Sequence, residues 1–332
     1  MKNFLFIATF LFLASCSVFK KNVLLKADKP LFRDPIFDGA ADPVIVFNKK
    51  TEKWVMLYTN RRANAANLDG VTWVHGTRIG IAESKDGAKW TYADTANIAY
   101  RNTDYTHWAP EVIENNGVYH MYLTYVPGIF ADWQHPRYIL HLTSNDLFNW
   151  KFESQLNLAK NKVIDACVYP LPSGGWRLWY NNESDGKSVY YADSKDLYTW
   201  EDKGKALATR GEGPKVFRWK DKYWMVVDMW KGLGIYSSDD LLKWTKQPEN
   251  ILEKPGTGMD DGVIGGHPDV VVRGEKAYVF YFTHPGKTPK NKGKDGYEQR
   301  RSTIQVAELK LENGAITCDR NQPVYLNLNH IN

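Results

Sequence analysis

Gly211-Glu212-Gly213-Pro214 sets a carboxylate between two glycines, just ahead of the apolar run Val216-Phe217. The glycines permit a sharp bend and keep neighbouring side chains away from Glu212. Read alone, this is a loop glutamate, and most loop carboxylates are simply solvated. It gains meaning from four other places where an apolar run starts after an acidic, small or imidazole side chain: Asp42-Pro43, Ala109-Pro110, Asp165-Ala166 and His267-Pro268. Aligning Pro43, Pro110, Ala166, Pro214 and Pro268 puts Asp42, Ala109, Asp165, Gly213 and His267 at one equivalent position. Glu212 falls one residue earlier. If the five runs converge, three carboxylates and a histidine share one mouth. Buried like charges cost free energy unless something uses or neutralises them. The chemistry that calls for separated carboxylates is glycoside hydrolysis. One ionised carboxylate activates water, and a protonated one releases the leaving oxygen. A third neighbour raises the acid's pKa and keeps it protonated near neutral pH.

The runs converge only if the chain is a closed repeat, and the repeat is visible. Ser-x-Asp-x-x-x-Trp occurs at Ser84-Asp86-Trp90, Ser144-Asp146-Trp150, Ser194-Asp196-Trp200 and Ser238-Asp240-Trp244. Each copy follows three apolar runs: one from the aligned starts, a second with aromatic alternation such as Tyr119 to Tyr125, and a third such as Tyr138 to Leu142. In a fifth unit Thr303 to Leu309 takes the third place and the mark has decayed. Period-two alternation bounded by Gly, Asn, Asp and Pro is strand signal. Five units of three or four strands predict an all-β, five-bladed β-propeller, a single domain with its funnel on the axis. The Ser, Asp and Trp of the mark brace the turn to the outer strand, so Asp86, Asp146, Asp196 and Asp240 are structural. The tail from Gln322 to Asn329 is expected to add a closing strand. The insertion from Pro285 to Arg301 is lysine- and glycine-rich and reads as a mobile loop.

Composition agrees. The 332 residues are 43% hydrophobic and 14% aromatic, with 13 Trp and 19 Tyr, which suits strands and sugar stacking. The formal charge of +5 comes from interspersed acids and bases and does not argue for nucleic acid. Lys2, the apolar run Phe4 to Leu13 and Leu13-Ala14-Ser15-Cys16 resemble a bacterial lipoprotein signal, too short to be a permanent span. The expected organisation is a signal peptide over 1–15, a tether over 16–28 and the propeller over 29–332. Lipid on Cys16 would anchor the chain to the cell envelope, on the periplasmic or the outer side. Cys167 and Cys318 then remain, with neither a disulfide framework nor zinc spacing.

Five motifs in order resemble glycoside hydrolase family 43: Ala41-Asp42-Pro43, Trp108-Ala109-Pro110, Val163-Ile164-Asp165, Glu212-Gly213-Pro214 and Gly265-Gly266-His267. The likeness covers about residues 30–320, and alanine follows Asp165 where the family usually has proline. It implies an inverting, exo-acting glycosidase on arabinosides, xylosides or galactosides of plant or algal polysaccharide. Asp42 matches the general base, Asp165 the residue that tunes and orients the acid, and Glu212 the general acid. His267 matches an axial histidine that in some members faces a bound calcium or water. No cofactor is required, and a structural calcium near the axis is allowed. Inversion implies that the Asp42 and Glu212 carboxyl groups lie about 6.5–9.5 Å apart.

The loops after the first and second strands of each unit supply the rim. Trp108, Arg61, Trp133, His135, Trp230 and Arg301 are the expected substrate contacts, with Arg62, Asn181, Glu183 and His284 in similar places. Several arginines in the pocket would point to a charged sugar. The expected partner is an oligosaccharide bound by a monomer. Two other readings stay open: a family 117-like anhydro-galactosidase, with His107, His135 or His284 as acid, and a non-catalytic sugar-binding propeller on a lipid anchor. A sialidase-like enzyme fits less well, since no arginine cluster with a tyrosine nucleophile stands out.

Overall fold

In the computed structural model, which describes residues 23–100 and 103–329, the chain forms five four-stranded antiparallel units around one axis. The inner strands are Ala40–Asn48, Thr106–Asn115, Val163–Pro170, Glu212–Trp219 and Gly266–Arg273. Each pairs with the next strand in sequence, and blade two gains a fifth, outer strand at Asn97–Ile98. The inner strands neighbour one another in ring order, and the fifth returns to the first. The expected five-bladed propeller is the observed fold.

Strand alternation builds the core between the blades. Along Lys53–Asn60, Val55 and Leu57 face blade two, while Trp54, Met56 and Tyr58 face blade five. Side chains on a strand alternate sides, so one strand seals two interfaces. Each of the five blade interfaces has its own apolar cluster.

The Ser-x-Asp-x-x-x-Trp mark braces turns as expected. In blade two Asp146 Oδ1 accepts from the Phe148 and Asn149 amides at 2.8 Å, and Ser144 Oγ accepts from Leu147 N at 2.9 Å. Trp150 Nε1 donates to Leu147 O at 3.1 Å. The same Ser and Asp contacts recur at Ser194-Asp196 and Ser238-Asp240.

The two ends differ from expectation. Tyr325–Leu326 adds no strand to a blade; it pairs with Leu25–Lys26 as a separate two-stranded ribbon. The end of the segment read as a tether is therefore part of the fold, and Ala27 is buried in the core between blades one and five. The insertion read as a mobile loop is tied down. Tyr297 Oη donates to Asp38, Arg300 pairs with Asp295, and Arg301 pairs with Asp260 and Glu298. The segment from Lys2 to Cys16 lies outside the described residues.

Candidate active site

Every inner strand kinks at the aligned position. Asp42, Ala109, Asp165, Gly213 and His267 have φ of 51°, 42°, 58°, 55° and 33°. The register with the second strand slips at that point in all five blades. A bulge of this kind re-aims a side chain. Left-handed backbone is strained for any residue with a Cβ, and such strain concentrates at functional sites. At Gly213 a Cβ would also stand 2.9 Å from the His267 ring.

In blades two to five the kink frees a backbone N–H from the ladder, and the preceding blade captures it. Thr59 Oγ1 accepts from Ala109 N at 2.8 Å, and Thr124 Oγ1 from Asp165 N at 3.0 Å. Asp165 Oδ2 accepts from Gly213 N at 3.0 Å, and Asp228 Oδ2 from His267 N at 2.8 Å. This chain of inter-blade bonds satisfies donors that would otherwise be buried and unpaired, and it fixes the angle at which Ala109, Asp165, Gly213 and His267 meet the axis.

Asp42, Asp165, Glu212 and His267 meet in a cavity of about 730 Å³. Trp108, Trp133, Trp230 and Arg61 line it as expected. Trp133 and Trp230 are exposed, 48% and 37%, so their rings are open to the cavity. Arg61 Nη2 lies 3.1 and 3.3 Å from the two Asp42 oxygens, and its Nη1 donates to His284 Nε2 at 2.8 Å. His284 Nδ1 donates to Arg301 O. Burial, with Lys287 and Arg61 nearby, keeps His284 neutral well below its usual pKa.

The electrostatics separate the carboxylates. Burial favours protonated Asp42, but Arg61 and then His267 outweigh it and hold Asp42 below the ordinary range. Asp165 is pushed up to about 7 by burial, with Glu212 and Asp42 adding to the shift and His267 opposing it. Burial works against a charged His267, but Asp42, Asp165, Glu212 and Asp228 together raise its pKa. Glu212 accepts from Trp230 Nε1 at 3.2 Å and pairs with Lys187 at 3.3 Å. Its side chain is 25% exposed, against 7% for Asp165. Of this pair, Glu212 is the more accessible from the cavity.

Two expected contacts are not brought to the cavity wall. The His135 ring stacks on Phe130, with centroids 3.4 Å apart, and pairs with Asp132 at 3.2 Å. Arg301 turns to Asp260 and Glu298 and anchors the insertion. His107 is buried beside Tyr105 and Tyr125 and does not line the cavity.

Sequence reasoning missed Asp228, Lys187 and Arg137. Asp228 lies opposite Glu212 across the strand pair, at the place Thr59 and Thr124 hold in blades one and two. Its Oδ2 holds His267 N and its Oδ1 accepts from Trp230 N at 2.8 Å. It is a positioning residue, pushed up to about 7 by burial and by Glu212. Strand register would have pointed to it; nothing in the local sequence marks Lys187 or Arg137.

The His267 ring faces Asp42 Oδ1 at 3.5 Å and Asp165 Oδ2 at 4.0 Å, and these carboxylates raise its pKa against the effect of burial. Elsewhere among the inner strands a cation is already built in. The buried Lys215 ammonium bridges Glu111 and Asp269, each at 2.8 Å. Among the described residues no group of three or more His, Cys, Asp or Glu is arranged to hold a metal.

A five-bladed propeller whose axial cavity collects carboxylates at strand kinks defines the class: a glycosidase of the propeller type. Residues 31–254 match the glycoside hydrolase 43-related family of probable glycosyl hydrolase domains. The chain belongs to that family and is a glycosidase that hydrolyses O-glycosyl bonds. Solved structures share the fold. A thermostable family 43 glycoside hydrolase is 19% identical at a TM-score of 0.64, with 87% of this chain and 96% of that one covered. A family 43 β-1,3-galactosidase with bound galactodeoxynojirimycin is 15% identical at 0.60, covering 84% and 93%. A β-xylosidase/α-arabinofuranosidase from a compost microbial metagenome, in a calcium-free form with xylotriose, gives the same values. No curated protein matches.

Proposed function

We propose that the chain is an inverting, exo-acting glycosidase in which Asp42 is the general base, Glu212 the general acid and Asp165 the residue that tunes and orients the acid. The observation that carries this is the placement of the carboxylates in one cavity: Asp42 is ion-paired with Arg61 at 3.1 Å, which favours its ionised form, and Glu212 is the more exposed carboxylate beside the buried Asp165. A base and an acid on separate carboxylates of one cavity are what displacement by water needs. Asp42 takes a proton from water as its oxygen attacks the anomeric carbon. Glu212 gives a proton to the departing glycosidic oxygen. Asp165 accepts Gly213 N, which fixes the backbone beside the acid.

A histidine acid is less well supported. His284 has both nitrogens engaged and is held neutral, and His107 and His135 do not line the cavity. The substrate is a fragment of plant or algal polysaccharide with Trp108, Trp133 and Trp230 as stacking walls. Lipid on Cys16 places the enzyme at the cell envelope, where such fragments arrive; mass spectrometry of the membrane-extracted N-terminus tests that part, and an unmodified Cys16 removes it.

The test is a screen of aryl glycosides and oligosaccharides, with product configuration followed by proton NMR. Hydrolysis with inversion is expected, with Asp42→Asn inactive. Retained configuration, or full activity in Asp42→Asn, overturns the assignment.

A further inference from the structure

The cavity is lined by cations as well as carboxylates, and the cations are not all paired. Arg61, Arg137, Lys187, Arg210 and Lys287 all line it, drawn from loops of different blades. Three of these have carboxylate partners. Arg61 sits on Asp42, Arg137 on Glu183, and Lys187 on Glu183 and Glu212. Arg210 and Lys287 make no ion pair among the described residues. Each instead stands over a cavity tryptophan. The Arg210 guanidinium is 5.2 Å from the Trp230 ring centre, and the Lys287 ammonium is 5.6 Å from that of Trp73.

A cation over a ring face is attracted by the ring quadrupole but keeps its N–H donors for another partner. The two tryptophans belong to the wall on which a sugar would stack. A ligand in contact with these walls displaces water from both cations, and a neutral ligand leaves them without a counter-charge. A ligand with its own negative group supplies one, through charge-assisted hydrogen bonds worth about 10–100-fold in affinity. Five carboxylates, Asp42, Asp165, Glu183, Glu212 and Asp228, line the same cavity, but the ion pairs they make there are with Arg61, Arg137, Lys187 and His267, not with Arg210 or Lys287.

We infer that the sugar recognised here is anionic, bearing a carboxylate or a sulfate ester, and that Arg210 and Lys287 select for it. The inference rests on the hydrolase reading of the same cavity and names its substrate class. Arginine fits a planar carboxylate in two-point fashion, whereas lysine is a point charge that suits either group.

The test uses matched pairs: aryl galactoside with galacturonide, aryl glucoside with glucuronide, and galactose with galactose 6-sulfate. Rates are measured with the wild type, and binding by calorimetry with Glu212→Gln. The expected result is a preference of at least about tenfold for the anionic member of one pair, weakened by 0.5 M salt. In Arg210→Ala/Lys287→Ala the anionic-over-neutral ratio falls by about 10–100-fold. The uronide and sulfate arms show which anion is read. Preference for the neutral member of every pair, no binding of any anionic probe, or an unchanged ratio in the double variant overturns the inference. Hydrolysis of neutral substrates alone removes the anionic class and keeps the glycosidase. Tight binding of an anionic sugar with no turnover of any substrate does the reverse.

Discussion

Replacing Lys215 by methionine removes the one cation of a buried cluster that clamps the inner strands together. Lys215 lies on the strand that carries Glu212, and it bridges Glu111 of blade two and Asp269 of blade five. Glu111 Oε1 accepts from Val168 N on the Asp165 strand, and Asp269 Oδ2 accepts from Ile45 N on the Asp42 strand. All five blades meet in this cluster. The side chains are 14%, 7% and 3% exposed, so solvent screens them little. Removing one partner of a buried ion pair costs about 3–5 kcal/mol, because the remaining charge is uncompensated. For a domain of about 300 residues that is a drop in Tm of about 5–8 °C.

The loss must depend on pH. Burial raises the Glu111 pKa, and Lys215 opposes that rise. Without Lys215 the pKa rises further, so protonated Glu111 becomes the favoured folded form. A carboxylate with a raised folded pKa is accommodated at low pH, and stability is lost as pH rises through that value. The deficit of Lys215→Met is therefore largest at pH 7 and smaller at pH 5, and adding Glu111→Gln recovers part of it at pH 7. Thermal unfolding of the wild type and both variants at the two pH values is the assay. A Tm within about 2 °C of wild type at pH 7, or a deficit of equal size at both pH values, refutes the reasoning.

Other expectations follow from the same geometry. Asp165 and Asp228, both at about 7, bind protons more tightly folded than unfolded, so their contribution to stability is full below about pH 4 and lost as pH rises through 7. The wild type should melt higher at pH 5 than at pH 8, and Asp228→Asn should flatten that slope; an unchanged slope counts against Asp228. Lys187→Met removes the cation 3.3 Å from Glu212, so the alkaline limb of kcat/KM should move to higher pH, and a limb that stays put detaches Lys187 from the acid. Asp146→Ala loses the turn contacts of blade two and should cost about 1–2 kcal/mol with kcat unchanged, measured by denaturant unfolding and steady-state rates.

Much of the site was legible because the fold repeats. Aligning the blade starts placed Asp42, Asp165, Gly213 and His267 together, and the structure kinks the chain at each. The repeated turn also excluded four aspartates that a search for paired carboxylates would otherwise collect. What was not legible depended on pairing across strands or on loop direction. Asp228 faces Glu212 only through a register that a bulge shifts by one residue. Lys215 looked like any strand lysine until the axis closed around it. His135 and Arg301 had suitable types in suitable loops, yet one stacks on Phe130 and the other anchors the insertion. No periodicity encodes which way a loop side chain turns.

The central claim is that Glu212 delivers the proton, and leaving-group dependence of Glu212→Gln tests it most directly. Rates are compared on aryl glycosides that differ only in the acidity of the departing phenol. If Glu212 is the acid, the variant keeps near wild-type kcat with the most acidic phenol and loses about 10²–10⁴-fold with the least acidic, and the alkaline limb of its pH profile disappears. Equal loss across the series, or full activity on the poorest leaving group, contradicts it.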